Sequence, residues 1–342
     1  MTLKEIAAQA GVSTATVSYV LNGTAKVSDE TRQKVEKIIK ETGYQSNILA
    51  RSLRKNKSSL VGVVVEDITV WHTALIIDGI NELAERKGYQ TILGNLRLLS
   101  KIESQFEHIS KFQDNIDKEV ALLLGMQVDG IIYVGMHDRE IKDVLHDIPK
   151  PVIYCYCNTS NEGSSVSYSN EKAAYQVTKL FLEKGHKDFV VIKGNEQSEP
   201  TVKRMHGIER ALKEYEIPLK EENIVVGNWD YKETRKVIQP ILKRKNVPTA
   251  FVAMNDEMAV AVRDEAKDLG LIVPDDISIS GFDNADIVHY GTPRITTVDR
   301  PLHQLGYKSM ELLIDKIEKG DEGEINIILP CTLIEGTSIR EI

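Results

Sequence analysis

The chain of 342 residues contains few cysteines and no long apolar run. Its three cysteines, Cys155, Cys157 and Cys331, form neither a C-x-x-C pair nor a Cys/His cluster with zinc spacing. We therefore expect reduced thiols, no metal and no other cofactor. No apolar stretch approaches the roughly 18 residues that a membrane span needs, and the first residues carry no apolar targeting segment. These absences predict a cytoplasmic protein with no membrane partner.

Catalytic motifs are missing as well. The sequence has no phosphate-binding G-x-x-x-x-G-K-[ST] loop and no G-x-S-x-G nucleophile motif. Since there is no metal-ligand cluster either, we expect the protein not to be an enzyme. The length suggests two or three domains and is ample to bury real cores.

Charge is distributed unevenly along the chain. The formal net charge is −8 at pH 7, but residues 1–57 contain ten Lys/Arg and five Asp/Glu. That segment therefore carries +5 and leaves −13 on the remainder. A small basic segment joined to an acidic body is typical of a phosphate-binding head on a sensor domain, although a basic face is often only a solvated surface.

Two short helices with a tight turn between them are predicted in the first 22 residues. Thr2 and Glu5 have the spacing of a capping box, Gly11 can adopt positive φ in the turn, and Ser13 can cap a second helix over 14–21. The second helix has apolar residues on one side and small polar residues with a tyrosine on the other. This pattern suits insertion into the major groove of DNA, with a three-helix bundle that binds no DNA as the alternative.

A third helix is predicted from Ser28 to about Thr42, with Gly43 as its stop. Three motifs then follow one another in order: T-L-K-E-I-A-x-x-A-G-V-S-x-x-T-V-S-x-V-L-N-G from Thr2, V-S-x-E-T-R-x-K-V from Val27, and G-Y-x-x-N-x-x-A-R-S-L from Gly43. Together they resemble the DNA-binding head and hinge of the LacI/GalR family of bacterial transcription repressors.

The resemblance implies which residues contact operator DNA. Thr14, Ala15 and Tyr19 would lie nearest the bases in the major groove, and a hinge helix would lie in the minor groove with Leu53 as its apolar wedge. The expected contact residues are Thr2, Ser13, Thr14, Ala15, Thr16, Ser18, Tyr19, Asn22, Asn47, Ala50, Leu53 and Arg54. Tyr19 stands where Arg or His is more common in the family, so the operator sequence is not implied.

From Leu60 onward, apolar strand patterns alternate with amphipathic helical patterns. Strands are predicted at 60–65, 90–93, 130–134, 152–156, 189–192, near 225, 250–253, 277–280 and 325–329, and helices at 74–87, 170–183, 202–215, 232–243, 257–269 and 304–318. The alternation predicts an α/β fold with helices covering doubly wound parallel sheets. Two such series suggest two lobes with a ligand cleft between them.

This part resembles the sensor core of the same family, which has the fold of periplasmic sugar-binding proteins. The motifs are V-D-G-I-I at 128–132, G-H at 185–186, R-M-H-G at 204–207, A-M-N-D at 253–256, P-D-D-I-S-I-S-G-F-D at 274–283 and T-T-V-D-R-P at 296–301. The resemblance implies a helix-turn-helix head at 1–46, a hinge helix and linker at 47–58, and a core at 59–342. The first lobe would hold about 59–160 and 297–325, the second about 161–296 and 326–342, with crossings near 157–168, 293–300 and 322–329.

Polar and aromatic residues near the ends of the core strands are the candidate effector contacts. Arg204 matches the family's effector arginine, with a structural ion pair as the alternative. Asn255 and Asp283 each follow an apolar strand, and Trp229 can stack on a sugar ring. The alternatives are helix capping for Asp283 and core packing for Trp229. The full candidate set is Asp67, Trp71, His72, Tyr156, Arg204, Trp229, Asn255, Asp283 and Arg300.

Several positions depart from the family pattern, so the effector is not identified. Residues 67–73 replace the usual D-I-T-N-P-F-F, Tyr156 stands where Asp is frequent, and Arg300 stands where Gln often sits. Residues 95–129 are about ten residues longer than in the family and keep apolar residues at helical spacing. We expect one lengthened helix there, with or without a kink.

The expected function is that of a homodimeric transcription repressor. Its affinity for pseudo-palindromic operator DNA would be controlled allosterically by a small effector, most simply a sugar or sugar derivative. A corepressor or phosphoprotein partner that tightens DNA binding, a solute-binding protein of transport and an enzyme are the alternatives. We expect a dimer and nothing larger, because the residues after the last strand leave no room for a leucine-heptad helix.

Overall fold

The computed structural model describes residues 1–22, 27–44, 57–102, 109, 111–141, 144–145, 147–159, 163–320 and 323–342. The chain forms two compact units, of which the first contains Met1–Ser59 and the second contains Leu60–Gly125 and Asp129–Ile342. The hinge contacts predicted at Asn47, Ala50, Leu53 and Arg54 lie outside the described residues, as does the side chain of Asn22. None of the helices in the described ranges is long and apolar enough to cross a membrane.

The first unit is built from α1 (Leu3–Ala10), α2 (Thr14–Asn22) and α3 (Asp29–Thr42). The Thr2 hydroxyl accepts the N–H of Glu5 while the Thr2 N–H donates to the Glu5 carboxylate at 2.7 Å, so the predicted capping box is confirmed. Gly11 ends α1 at φ 70°. A core centred on fully buried Ile6, Val17 and Val35 joins the helices, and this packing turns the opposite face of α2 outward.

Two parallel sheets form the second unit. The strands are β1 (Leu60–Val65), β2 (Gln90–Asn95), β3 (Gly130–Val134), β4 (Glu140–Ile141), β5 (Val152–Cys155), β6 (Asn158–Thr159), β7 (Ser164–Tyr168), β8 (Phe189–Lys193), β9 (Ile224–Val226), β10 (Ala250–Ala253), β11 (Ser278–Ser280), β12 (Thr297–Asp299), β13 (Asn326–Leu329) and β14 (Thr332–Ile334). The first sheet has the order β13-β7-β5-β3-β1-β2 and the second β11-β10-β8-β9. The other four strands form two small sheets, parallel β4-β6 and antiparallel β12-β14. We call each of the two large sheets with its helices a lobe.

Helices cover both sheets, as the alternating pattern predicts. They are α4 (Thr73–Lys87), α5 (Leu99–Ile102), α6 (Gln113–Gly125), α7 (Asn170–Glu183), α8 (Glu199–Glu214), α9 (Tyr231–Leu242), α10 (Asp256–Asp268) and α11 (Leu302–Lys319). In the first lobe α4 and α11 cross closely, because a Cβ at Gly306 would meet the carbonyl oxygen of Ile76 and one at Gly79 that of His303. Only glycine allows the two backbones to approach this far.

The predicted lobe boundaries are wrong at two strands. β7 and β13 pair with each other and belong to the first sheet, so Ser164–Tyr168 and Asn326–Leu329 are not part of the second lobe. β7 reads Ser-Ser-Val-Ser-Tyr, which lacks the apolar run of a buried parallel strand. Its hydroxyls are satisfied locally, since Ser165 donates to Asn326 at 2.7 Å and Ser164 accepts from the N–H of Ile325.

The single long helix predicted within 95–129 is also wrong for the described residues. Leu99–Ile102 forms one short helix and Gln113–Gly125 forms another. Ile109, Lys111 and Phe112 adopt a tighter 3-10 conformation, which interrupts the α-helix before Gln113. The regularly spaced apolar residues, such as Ile102 and Ile109, are buried, but they lie on separate segments and not on one face of a single helix.

Candidate functional site

A cleft of about 1150 Å³ lies at the carboxyl ends of strands from both lobes. Eight of the nine predicted effector contacts line it: Trp71, His72, Tyr156, Arg204, Trp229, Asn255, Asp283 and Arg300. Its wall also includes Arg139, Glu140, Tyr168, Asn195, Gln197, Ser198, Glu199 and Asn228. Parallel sheets place ligands at this edge, so the topology explains why residues distant in sequence meet here.

Asp67 does not line the cleft. Its carboxylate accepts the N–H of Thr69 at 2.9 Å and that of Leu99 at 3.0 Å, together with the Thr69 hydroxyl. These bonds lower the pKa of Asp67 although burial opposes them. The carboxylate therefore orders the loop that carries Trp71 and His72, and the structure places it outside the cleft that the other predicted contacts line.

Arg204 is held firmly at the base of the cleft, with 4% of its surface exposed. Its Nε donates to the Asn170 side chain at 2.8 Å, and Nη1 donates to the backbone carbonyl of Met254. The guanidinium lies 3.6 Å from the centre of the Phe282 ring, a cation–π contact that fixes its plane. Its Nη2 is 3.7 Å from Asp283 Oδ1 and so points toward the cleft.

Arg300 approaches the same carboxylate from the first lobe's side of the cleft. Its Nε lies 3.2 Å from Asp283 Oδ1, and its Nη1 donates to the hydroxyl of Tyr156. Burial opposes the charge on Arg300, but the Asp283 carboxylate outweighs it and raises the pKa. Tyr156 stacks on Tyr168 with ring centres 5.6 Å apart. We name Arg204, Arg300, Asp283, Tyr156 and Tyr168 the arginine floor.

The ion pair between Arg300 and Asp283 is not a well-formed hydrogen bond. Although 3.2 Å separates them, Arg300 Nε and Asp283 Oδ1 are both buried and have no hydrogen-bond partner among the described residues. At this distance the two charges attract each other, but the Nε–H group does not point at the Asp283 oxygen well enough to form a hydrogen bond. The floor thus retains directional hydrogen-bonding capacity.

Four residues of the cleft have left-handed backbone conformations that favour glycine. Tyr156 has φ 61°, Asn228 has φ 54°, Trp229 has φ 64° and Asp283 has φ 121°. Each such conformation costs on the order of 1–3 kcal/mol and persists only where the surrounding structure enforces it. Strained backbone of this kind is concentrated at ligand sites. The backbone conformation therefore indicates a ligand site in the same cleft as the side chains do.

A second carboxyl group lies behind Asp283. Asp256 is 1% exposed and accepts the Thr297 hydroxyl at 2.5 Å and the N–H of Ala285 at 2.7 Å. Burial, and secondarily the charge of Asp283, raises the pKa of Asp256 to about 7. At neutral pH this group is therefore only partly ionised.

Aromatic side chains form opposite walls of the cleft. Trp71 is 49% exposed and lies over Arg300, with 5.0 Å between the guanidinium and the ring centre. Trp229 packs against Gly194, where a Cβ would collide with the indole. His72 donates from Nε2 to the carbonyl of Met136 at 2.7 Å, and burial with nearby Arg300 lowers its pKa well below 6.5, so the ring is neutral.

Helix capping falls to Asn255 and not to Asp283. The Asn255 Oδ1 accepts the N–H of Met258 at 2.9 Å and caps α10, which leaves its amide nitrogen with a long 3.4 Å contact to the Trp229 carbonyl. Only the amide nitrogen of Asn255 is therefore available to contact a ligand. Asp283 caps no described helix and keeps its carboxylate on the floor.

Sequence reasoning missed the loop after β3. Glu66 is fully buried and accepts from the Tyr133 hydroxyl, the Met136 N–H and both terminal nitrogens of Arg139. Burial favours the neutral acid, but Arg139 dominates and lowers the pKa of Glu66. A polar run directly after an apolar strand was the available signal, as it was for Asn255 and Asp283.

The same loop contacts the second lobe. Asp138 Oδ2 accepts from Asn170 Nδ2 and from Lys203 Nζ, both at 2.9 Å. Glu199 accepts the N–H of Glu140 and lies 3.2 Å from Lys203. Because Asn170 also holds Arg204, a continuous hydrogen-bonded chain joins Asp138 in one lobe to Arg204 in the other.

The first unit presents a separate candidate surface. On α2, Thr14 and Ala15 are exposed, Ser18 is half-buried, and Tyr19 exposes 45% of its surface. Ser13 caps the helix by accepting the N–H of Thr16 at 3.1 Å. The N-terminal end of α2 is therefore available for contacts with base edges, as a recognition helix requires.

Comparison with known proteins finds relatives of both units. Residues 2–47 match the family described as bacterial regulatory proteins, lacI family, and residues 178–339 match the periplasmic binding protein-like domain. Catabolite control protein A of Staphylococcus xylosus is 33% identical over 333 residues, which cover 96% of each chain. The HTH-type transcriptional repressor PurR of Vibrio atlanticus is 31% identical over 99% of this chain and 98% of its own.

Solved structures share the fold along the full length. A Lac repressor dimer bound to operator and the anti-inducer ONPF superposes with a TM-score of 0.79 at 23% identity, and it covers 99% of each chain. A complex of the transcriptional regulator CelR with cellobiose gives a TM-score of 0.66 at 26% identity, again over 99% of each chain. With a helix-turn-helix head, a two-lobed sensor core and relatives that match both, the chain belongs to the LacI family of DNA-binding transcription regulators.

Proposed function

We propose that the protein is a repressor that binds operator DNA as a homodimer and is controlled by a sugar-type effector in the cleft. The observation that carries the proposal is the cleft itself: buried arginines, a carboxylate, exposed Trp71 and half-buried Trp229 converge where two lobes meet. Hydroxyl-rich rings are recognised by this combination, since charged groups and amides bond the hydroxyls while indole faces cover the C–H surfaces. The relative CelR was solved with cellobiose, which supports a sugar.

Operator reading is assigned to α2 and its preceding turn. Thr14, Ala15 and Tyr19 are exposed where a helix entering the major groove meets base edges. One such head makes too few contacts for specific binding, so two heads on a two-fold axis are required. We place Leu53 as the wedge that opens a central base step in the minor groove, at a cost of a few kcal/mol that wrapping offsets.

Effector control follows from the division of the cleft between lobes. Trp71, His72 and Tyr156 belong to the first lobe, whereas Arg204 and Asp283 belong to the second. A ligand that touches both groups favours one lobe angle over another. That preference shifts the DNA-binding equilibrium by no more than the ligand's differential affinity for the two states.

Selection from a random duplex pool tests the DNA-binding half of the proposal. The full-length protein should enrich a pseudo-palindromic sequence, and Tyr19→Ala should weaken binding to it by about 1–3 kcal/mol or change the preferred base. Tyr215→Ala is the matched control, because Tyr215 is comparably exposed at 40% but lies on the sensor core. Failure to enrich any sequence, or equal effects of the two substitutions, would reject the assignment.

Titration of the selected operator with sugars tests the second half. A sugar that weakens operator binding indicates an inducer, and one that strengthens it indicates a corepressor. Sugars that bind the core but leave operator affinity unchanged would contradict control through the cleft.

A further inference from the structure

We infer that the effector is a sugar acid, a pyranose-sized sugar that carries one carboxylate bound by the arginine floor. The inference rests on the proposed function of the cleft and deepens it by naming the ligand class. It is carried by the charges buried in the floor and by the hydrogen bonds that those charges lack.

Positive charge exceeds negative charge on the arginine floor. Arg204 and Arg300 are 4% and 6% exposed, and both approach the single carboxylate of Asp283. Arg139, the third arginine of the wall, does not add to the excess, because fully buried Glu66 neutralises it through two guanidinium contacts. Two buried guanidinium groups facing one carboxylate leave a surplus of one positive charge.

Neighbouring groups cancel at most part of this surplus positive charge. The two nearby imidazoles are neutral, because burial lowers the pKa of His72 well below 6.5 and that of His137 to about 4. Asp256, behind Asp283, is only partly ionised at neutral pH, since burial raises its pKa to about 7. Among the described wall residues the remaining acids are Glu140, which is exposed and screened by solvent, and Glu199, which is half-buried and paired with Lys203.

The floor also has hydrogen-bonding capacity that the protein does not use. Arg300 Nε and Asp283 Oδ1 are buried without a hydrogen-bond partner among the described residues. A buried charge without full pairing is unfavourable, and an arriving anion that accepts from the guanidinium fork removes this penalty. Asp283 Oδ1 can accept a hydroxyl of the same ligand, which a simple anion would not provide.

The size of the surplus distinguishes a carboxylate from a phosphate. A carboxylate brings one negative charge, which matches the floor, whereas a phosphate ester brings about −1.5 to −2 at pH 7. The carboxylates of Glu140 and Glu199 in the cleft wall disfavour the larger anion further. The other wall groups suit hydroxyls and a ring face, namely Asn195, Gln197, Ser198, Asn228, Trp71 and Trp229.

Matched sugars that differ at one carbon test the inference on the full-length protein. D-Glucuronate is compared with D-glucose, D-galacturonate with D-galactose, and glucose 6-phosphate is added as the phosphorylated member. Thermal shift followed by calorimetry should show at least one hexuronate binding roughly tenfold or more tighter than its neutral partner and than glucose 6-phosphate, as expected for one charge-assisted contact.

Substitution at Arg300 identifies the source of the preference. Arg300→Gln keeps a polar side chain but removes the charge, so it should lower hexuronate affinity at least about tenfold. The difference in affinity between the hexuronate and its neutral partner should therefore become smaller. Arg300→Lys keeps the charge and should keep the preference for the acid. Arg210→Gln, at a 46% exposed arginine paired with Glu171, is the control and should change neither. If an Arg300 variant does not fold, the wild-type comparison alone decides.

Three results would overturn the inference: a neutral sugar that binds as tightly as its uronate, tighter binding of glucose 6-phosphate, or no binding of either uronate. The first two leave the proposed function standing, because the cleft would still accept a sugar. The proposed function itself fails in a different way, when a hexuronate binds the cleft and operator affinity does not change.

Discussion

At the scale of single residues, the carboxyl pair of Asp256 and Asp283 gives the protein a pH dependence. Asp256 is held by Thr297 and the N–H of Ala285, while Asp283 faces it with a like charge and Arg300 with an opposite one. Burial comes first among the causes that raise the pKa of Asp256 to about 7 from an ordinary value of 3.8. The folded protein therefore binds a proton here that the unfolded chain releases near pH 4.

Stability should fall as the pH rises through this window. A raised folded-state pKa contributes stability that is full below pH 4 and is lost as the pH approaches 7. Asp256→Asn cannot ionise, so relative to wild type it should be more stable at pH 7.5 than at pH 5, by on the order of 2–4 kcal/mol. Urea unfolding at the two pH values measures the difference.

The control for this prediction is Asp315→Asn, at a half-exposed residue of α11 paired with Lys319. That substitution should move the free energy of unfolding equally at both pH values. The same relative stability of Asp256→Asn at pH 5 and 7.5 would show that Asp256 is ionised throughout.

At the scale of helices and loops, the crossing of α4 and α11 is set by glycine. Gly306→Ala places a methyl group against the carbonyl of Ile76, so the helices must separate. The free energy of unfolding should fall by about 1–3 kcal/mol, as for other overpacked sites. Gly125→Ala is the matched control, since no atom lies within 4 Å of its added methyl group and its φ is not positive. Equal stability of the two variants would contradict the close crossing.

The loop after β3 provides the second prediction at this scale. Asp138→Asn removes the charge that binds Lys203 and Asn170 across the lobes, so Arg204 loses its support from the other lobe. Affinity for the sugar that binds wild type should fall about tenfold, which corresponds to roughly 1.4 kcal/mol.

Small-angle scattering without ligand gives an independent readout of that loop. Asp138→Asn should increase the radius of gyration, because the lobes open when the bridge is weakened. Glu183→Gln, an exposed residue paired with Lys179, should change neither quantity. Wild-type affinity in Asp138→Asn would show that the bridge has no part in closure.

Sequence alone predicts the elements that bury apolar residues periodically. β3 and β10 occupy the predicted 130–134 and 250–253, and α7 occupies 170–183. β7 escaped prediction because serine hydroxyls replace its apolar run, and the helix predicted within 95–129 failed because one apolar spacing served several segments. In both cases tertiary contacts, and not the local sequence pattern, determine the secondary structure.

The cleft likewise contains some residues that the sequence identifies and others that it does not. Arg204, Asn255 and Asp283 could be identified because each lies near the end of an apolar strand or in a family motif. The pairing of Glu66 with Arg139 could not, because 73 residues separate them and only the sheet order brings them together. Nor does the sequence show that the Asp67 carboxylate accepts hydrogen bonds from backbone N–H groups.

At the scale of the whole molecule, charge and symmetry determine DNA binding. Residues 1–57 carry +5 and the rest of the chain −13, so attraction to phosphates is confined to the head and should weaken as salt is raised.

Two heads are needed to read a pseudo-palindrome. We therefore expect a dimer, with a mass twice that of the 38.4 kDa chain, by light scattering at micromolar concentration without DNA. A monomer mass would contradict the proposed geometry, and a tetramer mass would reveal a further interface.

Fluorescence anisotropy of the selected operator, with and without the sugar that binds the core, shows whether the cleft controls operator affinity. The wild-type dissociation constant should change by about 5- to 150-fold, the range of a 1–3 kcal/mol coupling. Arg204→Ala should lose this response, while Arg210→Ala, at an exposed arginine of the same helix, should keep it. An unchanged wild-type constant at saturating sugar, or a full response in Arg204→Ala, would contradict the account.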